Sequence, residues 1–64
     1  MTNRGDGYYE ADYGVRDACL IANNTVIART SGETVVAYTD ACGERDKREV
    51  REWADEYEYQ IEWN

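Results

Sequence analysis

Residues Glu44 to Trp63 read ERDKREVREWADEYEYQIEW, and the way this stretch divides decides the fold. It holds both tryptophans, two of the six tyrosines and eight of the fourteen acidic residues of a 64-residue chain. Val50, Trp53, Ala54, Tyr57 and Ile61 recur at the spacing that sets side chains on one stripe of an α-helix. From Glu56 onward a second period overlaps the first: Tyr57, Tyr59, Ile61 and Trp63 alternate with Glu56, Glu58, Gln60 and Glu62. Aromatic and β-branched residues at period two describe a half-buried strand. The stretch therefore predicts a helix over 43–57 and a strand over 59–63, with Glu58 in the turn between them. One helix continuing to the C-terminus is the alternative.

Asp40 is the expected helix N-cap, with Gly43 or Thr39 able to take the role instead. Glu44–Arg48, Arg45–Glu49, Arg48–Glu52 and Arg51–Asp55 stand at i,i+4, where exposed ion pairs add a few tenths of a kcal/mol each. The order of charge is less ordinary. Residues 44–51 sum to +1 and residues 52–62 to −5. A helix favours acids at its N-terminal end and bases at its C-terminal end. Here the order is reversed, so the acidic cluster is a candidate functional surface, with solubility or a salt-adapted host as the plainer explanation.

Working back through the chain, Glu33-Thr34-Val35-Val36-Ala37-Tyr38, Thr25-Val26-Ile27-Ala28-Arg29 and Ala18-Cys19-Leu20-Ile21-Ala22 have strand composition. They are separated by turns at Thr30-Ser31-Gly32 and Asn23-Asn24, and asparagine accepts the positive φ that two-residue turns require. The expectation is a three-stranded meander at about 18–22, 25–30 and 33–39, with a helical 15–22 as alternative for the first segment. Tyr8 to Val15 suits an edge strand, with Gly14 at a bulge or turn. Residues 1–7, MTNRGDG, have no apolar residue after Met1 and read as a mobile lead-in. Arg4-Gly5-Asp6 within them spells a cell-adhesion tripeptide, here a chance match.

The fold class expected is α+β: a small antiparallel sheet packed by one amphipathic acidic helix, the C-terminal strand joining the sheet. Strand parity assigns Val26, Ala28, Val35 and Ala37 to one side and Ile27, Val36 and Tyr38 to the other. One helix cannot cover both faces, so the uncovered face is a candidate surface for a homodimer or another partner.

A chain of this length is one domain near the lower limit for folding on a single core. Its formal net charge of −7 repels nucleic acid and anionic membranes and attracts basic surfaces. No apolar run is long enough to span a membrane, and the N-terminus lacks a signal peptide's apolar stretch, which leaves the cytoplasm as the expected location. Cys19 and Cys42, with no histidine in the chain, are too few for a zinc site. They read as buried apolar residues, a disulfide being the alternative. The spacing of Asp6, Glu10, Asp12 and Asp17 does not match a Ca²⁺-binding EF-hand loop. Without histidine, a serine nucleophile motif or a phosphate-cradling glycine loop, no catalytic residues and no cofactor are expected.

Glu49, Glu52, Asp55, Glu56, Glu58 and Glu62 are the candidate partner-binding residues. They run along the outer helix face and into the following strand, able to meet an arginine- and lysine-lined groove. In size, acidity and sheet-then-acidic-helix layout the chain resembles small phage-encoded anti-CRISPR and DNA-mimic proteins. The resemblance covers the whole chain as a type. It implies an inhibitor in the host cytoplasm that binds the basic surface of a protein or nucleoprotein complex, such as a CRISPR effector, and blocks its DNA-binding channel without a cofactor. The second reading is a structural or regulatory module, such as an antitoxin, virion accessory or regulatory subunit, that makes contact through Tyr8, Tyr9, Tyr13, Tyr59 or Trp63.

Overall fold

The computed structural model describes residues 1–14 and 17–64, and it is an α+β fold of six strands and one α-helix. The strands are β1 (Thr2–Gly5), β2 (Tyr8–Asp12), β3 (Ala18–Ala22), β4 (Thr25–Ser31), β5 (Thr34–Ala37) and β6 (Gln60–Trp63). Helix α1 (Glu44–Tyr57) follows a single 3-10 turn at Thr39–Ala41. Strand order in the sheet equals chain order. Neighbours from β1 to β5 pair antiparallel, while β6 returns parallel to β5 because α1 carries the chain back across the sheet.

The competing readings of Glu44–Trp63 separate at Glu58. This residue takes the left-handed conformation, φ 62° and ψ 36°. Its N–H donates to the Asp55 carbonyl at 3.0 Å, and the Tyr59 N–H donates to the Ala54 carbonyl at 3.0 Å. These are the two bonds of a Schellman ending, so the helix stops and the alternating residues enter the sheet. The continuous helix is excluded. At the other end Asp40 lies in the 3-10 turn rather than at the N-cap, which is Gly43. The Gly43 N–H donates to Asp46 Oδ2 at 2.9 Å, the half of a capping box that a glycine N-cap permits.

The expected lead-in at 1–7 is instead β1, paired with β2. Asp6 and Gly7 connect them with φ of 54° and 87°, the left-handed pair of a two-residue hairpin turn. The Asn23-Asn24 turn is built the same way, with φ of 52° and 61°. Strand β3 replaces the helical alternative over its described residues; Val15, at the end of the proposed edge strand, lies outside them.

A β-bulge corrects the expected parity. Leu20 pairs with Ala28 but the next residue, Ile21, pairs with Val26, which leaves Ile27 as the extra residue. Ile27 and Ala28 both enter the core, and Val26 moves to the opposite face with Ile21 and Val36. The core on the helix side contains Tyr8, Leu20, Ile27, Ala28, Val35 and Ala37 against Val50, Trp53 and Ala54 of α1. Trp53, Val35, Leu20 and Val50 are each wholly inaccessible. Burying side chains of this size supplies about 1.5–3 kcal/mol apiece. Cys42 packs against this core and Cys19 is buried from the other side of the sheet; both are free thiols.

Candidate functional site

The C-terminal half of α1 carries Glu52, Asp55 and Glu56, and Glu58 follows at the Schellman turn; all four are exposed. At a rise of about 1.5 Å and about 100° per residue, Glu52, Asp55 and Glu56 span about 6 Å of helix axis, Asp55 and Glu56 lying about 60° and 40° to either side of Glu52, and Glu58 follows off the helix end. Among the described residues Glu52, Asp55 and Glu58 take part in no ion pair. None of the four expected i,i+4 pairs is closed either. The ion pair within the helix is Lys47 with Glu44, at 3.9 Å. The last turn holds no basic residue, so the helix dipole adds to the negative field there instead of offsetting it.

The other two candidates lie elsewhere. Glu49 is committed to an internal cluster: Arg4 Nε donates to its Oε2 at 2.7 Å, and the two side chains are only 12% and 16% exposed. Glu62 pairs in register with Val36 and therefore sits on the sheet face away from α1. Glu56 has a double role. It accepts two hydrogen bonds from Arg4, at 3.0 and 2.6 Å, yet its side chain remains 56% exposed. The Arg4 guanidinium holds its carboxyl below the usual glutamate range.

Glu10 completes this cluster 3.9 Å from Arg4 and accepts a hydrogen bond from the Tyr57 hydroxyl. Burial, then the Glu10 carboxylate, raises the Tyr57 phenol well above its ordinary range. Asp12, two residues along β2 and on the same face, is raised by its hydrogen bond with Glu10. One arginine thus stands among Glu10, Glu49 and Glu56, with Asp12 at the rim. The negative field extends from the helix onto β2, which consideration of the helix alone misses. The signal was present in β2, where Tyr8, Glu10 and Asp12 fall on one side by strand alternation.

The aromatics divide in the same way. Tyr8 is buried, and its hydroxyl donates to Asp46 Oδ1 at 2.5 Å. Burial first and that carboxylate second push its phenol up to about 12. Tyr59 is half-buried and stacks on Tyr57 with ring centroids 5.2 Å apart. Trp63 lies under the Arg51 guanidinium, 5.4 Å from the ring centroid. Tyr9 and Tyr13 are exposed on the sheet face opposite the helix. Of the five aromatics considered as contacts, Tyr9, Tyr13 and Trp63 are accessible.

Among the described residues no three side chains of the His, Cys, Asp and Glu types converge as a metal site, and no helix is long and apolar enough to cross a membrane. No protein-family model matches the chain, and no curated protein and no solved structure matches it either.

Proposed function

We propose that this is a non-enzymatic binding protein that presents carboxylates in place of phosphates to a basic, nucleic-acid-binding groove on a partner. The contact surface is Glu52, Asp55, Glu56 and Glu58, with Glu10 and Asp12 at its margin. The observation that carries the reading is that, among the described residues, Glu52, Asp55 and Glu58 have no ion-pair partner at a helix end whose dipole opposes them. Such an arrangement costs stability, and a basic partner is what offsets the cost. The resemblance to small phage-encoded anti-CRISPR and DNA-mimic proteins agrees with this mode of action, an inhibitor working in the cytoplasm. A CRISPR effector is then one partner to test.

The test reverses charge where the fold does not depend on it. E52K/D55K/E58K leaves the Arg4 cluster intact, whereas reversing Glu49 or Glu56 places a lysine against Arg4. The triple variant is expected to fold and to lose partner binding at least tenfold, while E62K, on the opposite face, binds as wild type. Equal binding by the triple variant and wild type rejects the reading.

A further inference from the structure

The sheet face away from α1 is made of small buried residues, Ala11, Cys19 and Val36, partly overlaid by larger ones. Ile21 is half-buried, Tyr9 and Val26 are about 40% exposed, and Tyr13 is 71% exposed. The Tyr13 hydroxyl lies 3.6 Å from Cys19 Sγ, and Arg29 Nε donates to the Tyr38 hydroxyl at 2.7 Å. An open groove of about 400 Å³ runs between Tyr13, Cys19, Val26 and Arg29.

We infer that this face is the interface of a homodimer, in which two copies stack their sheets with the helices outward. Three observations select a second copy as the occupant. The first is charge. By register, the strand residues on this face include only Arg29 and Glu62 as charged groups, and Asp17 adds one carboxylate at the groove, so among the described residues the face carries about one negative charge in a chain of net charge −7. A basic partner is drawn to the other side, where most of the charge lies, while two weakly charged apolar faces meet with little repulsion. With sheets about 10 Å apart and each helix about 10 Å further out, the acidic surfaces stand about 30 Å from one another. That is several Debye lengths at physiological salt.

The second is area. Six strands about 4.8 Å apart span about 24 Å, in keeping with the 25 Å long axis of the molecule. At four to seven residues per strand, a mean length of about 16 Å, the face offers about 400 Å² per copy, or about 800 Å² in the pair. This is below the ~1,200 Å² of stable specific interfaces and in the range of weak, transient ones, so the dimer dissociates on dilution. The third is size. The chain has a core on one side of its sheet, free cysteines and, among the described residues, no metal cluster, and small domains of this kind gain stability by association.

The test is the solution mass of the full chain by light scattering and sedimentation equilibrium, from about 1 µM to 1 mM, which covers weak association. The expected result is twice the 7.4 kDa chain mass at the top of the range, falling to the monomer on dilution. I21K and V26K are expected to stay monomeric throughout with wild-type circular dichroism; V26K changes an already exposed side chain and keeps the test sound if I21K does not fold. E52K/D55K/E58K is expected to dimerise as wild type, which separates this inference from the acidic-surface reading. A wild-type monomer at 1 mM, a dimer untouched by V26K, or a monomer that seats a different protein on Ile21 and Val26 overturns it.

Discussion

Replacing Arg4 with methionine removes the guanidinium that pairs with Glu10, Glu49 and Glu56 and keeps an apolar stem of similar length. Breaking a fully buried ion pair costs about 3–5 kcal/mol, and an exposed pair contributes about 0–1. Arg4 and Glu49 are near the buried limit, with side chains 12% and 16% exposed, and Glu56 is nearer the exposed one at 56%. The expected loss is therefore about 2–3 kcal/mol, out of about 3–10 kcal/mol for a domain of this length. For so small a domain this lowers the melting temperature by about 10–20 °C. Thermal and urea unfolding monitored by circular dichroism read the change directly. Much of the loss is repulsion among the carboxylates left behind, so R4M/E49Q/E56Q is expected to recover at least half of it. The pH dependence has a defined sign. In the wild type the Glu56 carboxyl is held below its unfolded value, so its contribution is present above about pH 4.3 and is lost as pH falls through the lower folded value. In R4M the crowded carboxylates gain from protonation, and the gap between the two proteins narrows on acidification. An R4M loss below about 0.5 kcal/mol, within the range of an ordinary surface substitution, refutes the clamp.

Other substitutions follow from the same geometry. Glu58 occupies a left-handed position that costs a non-glycine residue about 1 kcal/mol, so E58G is expected to raise stability by about 0.5–1 kcal/mol in urea unfolding; a loss contradicts the Schellman ending. Tyr8 is neutral in the fold up to about pH 12 but ionises near its ordinary value of about 10 when unfolded. Its contribution is complete below about pH 10 and is lost as pH rises toward 12. Y8F is expected to cost about 1–2 kcal/mol at neutral pH and to flatten the alkaline limb of the stability profile, whereas an unchanged limb excludes Tyr8 as its source. W53A removes the largest fully buried side chain of the core, costs about 3–5 kcal/mol, and is expected to leave the chain largely unfolded by far-ultraviolet circular dichroism.

Where one residue type settles local structure, the sequence was readable to within a residue or two. The α1 stripe, the Asn23-Asn24 turn and the aromatic alternation of β6 each translate directly into an element. Strand β1 holds no apolar residue, Met1 lying just before it, so no hydrophobic pattern marks it in the sequence. The available clue was Asp6-Gly7, a preferred pair for a two-residue hairpin, followed by a strand-prone segment. What fastens β1 is Arg4, through contacts with residues 45 and 52 positions away, which no local pattern contains. The bulge at Ile27 is likewise set by packing, since both Ile27 and Ala28 can be buried only if the strand slips by one residue. Of the candidate site, Glu52, Asp55 and Glu58 were legible as a helix-end cluster. Glu49 was not separable from them, because its partner comes from the opposite end of the chain. Glu62 shares the acidity of the cluster but changes face with strand parity.

The most direct test of the carboxylate surface is affinity capture with the tagged full chain, from lysates of bacteria expressing CRISPR effectors and other nucleic-acid-binding complexes. Washes at low and high salt are followed by competition with duplex DNA, and E52K/D55K/E58K serves as the parallel bait. The account predicts a basic nucleic-acid-binding complex that is held at low salt, released by duplex DNA and absent from the triple variant. A partner that duplex DNA does not displace, or that the triple variant retains equally, contradicts it.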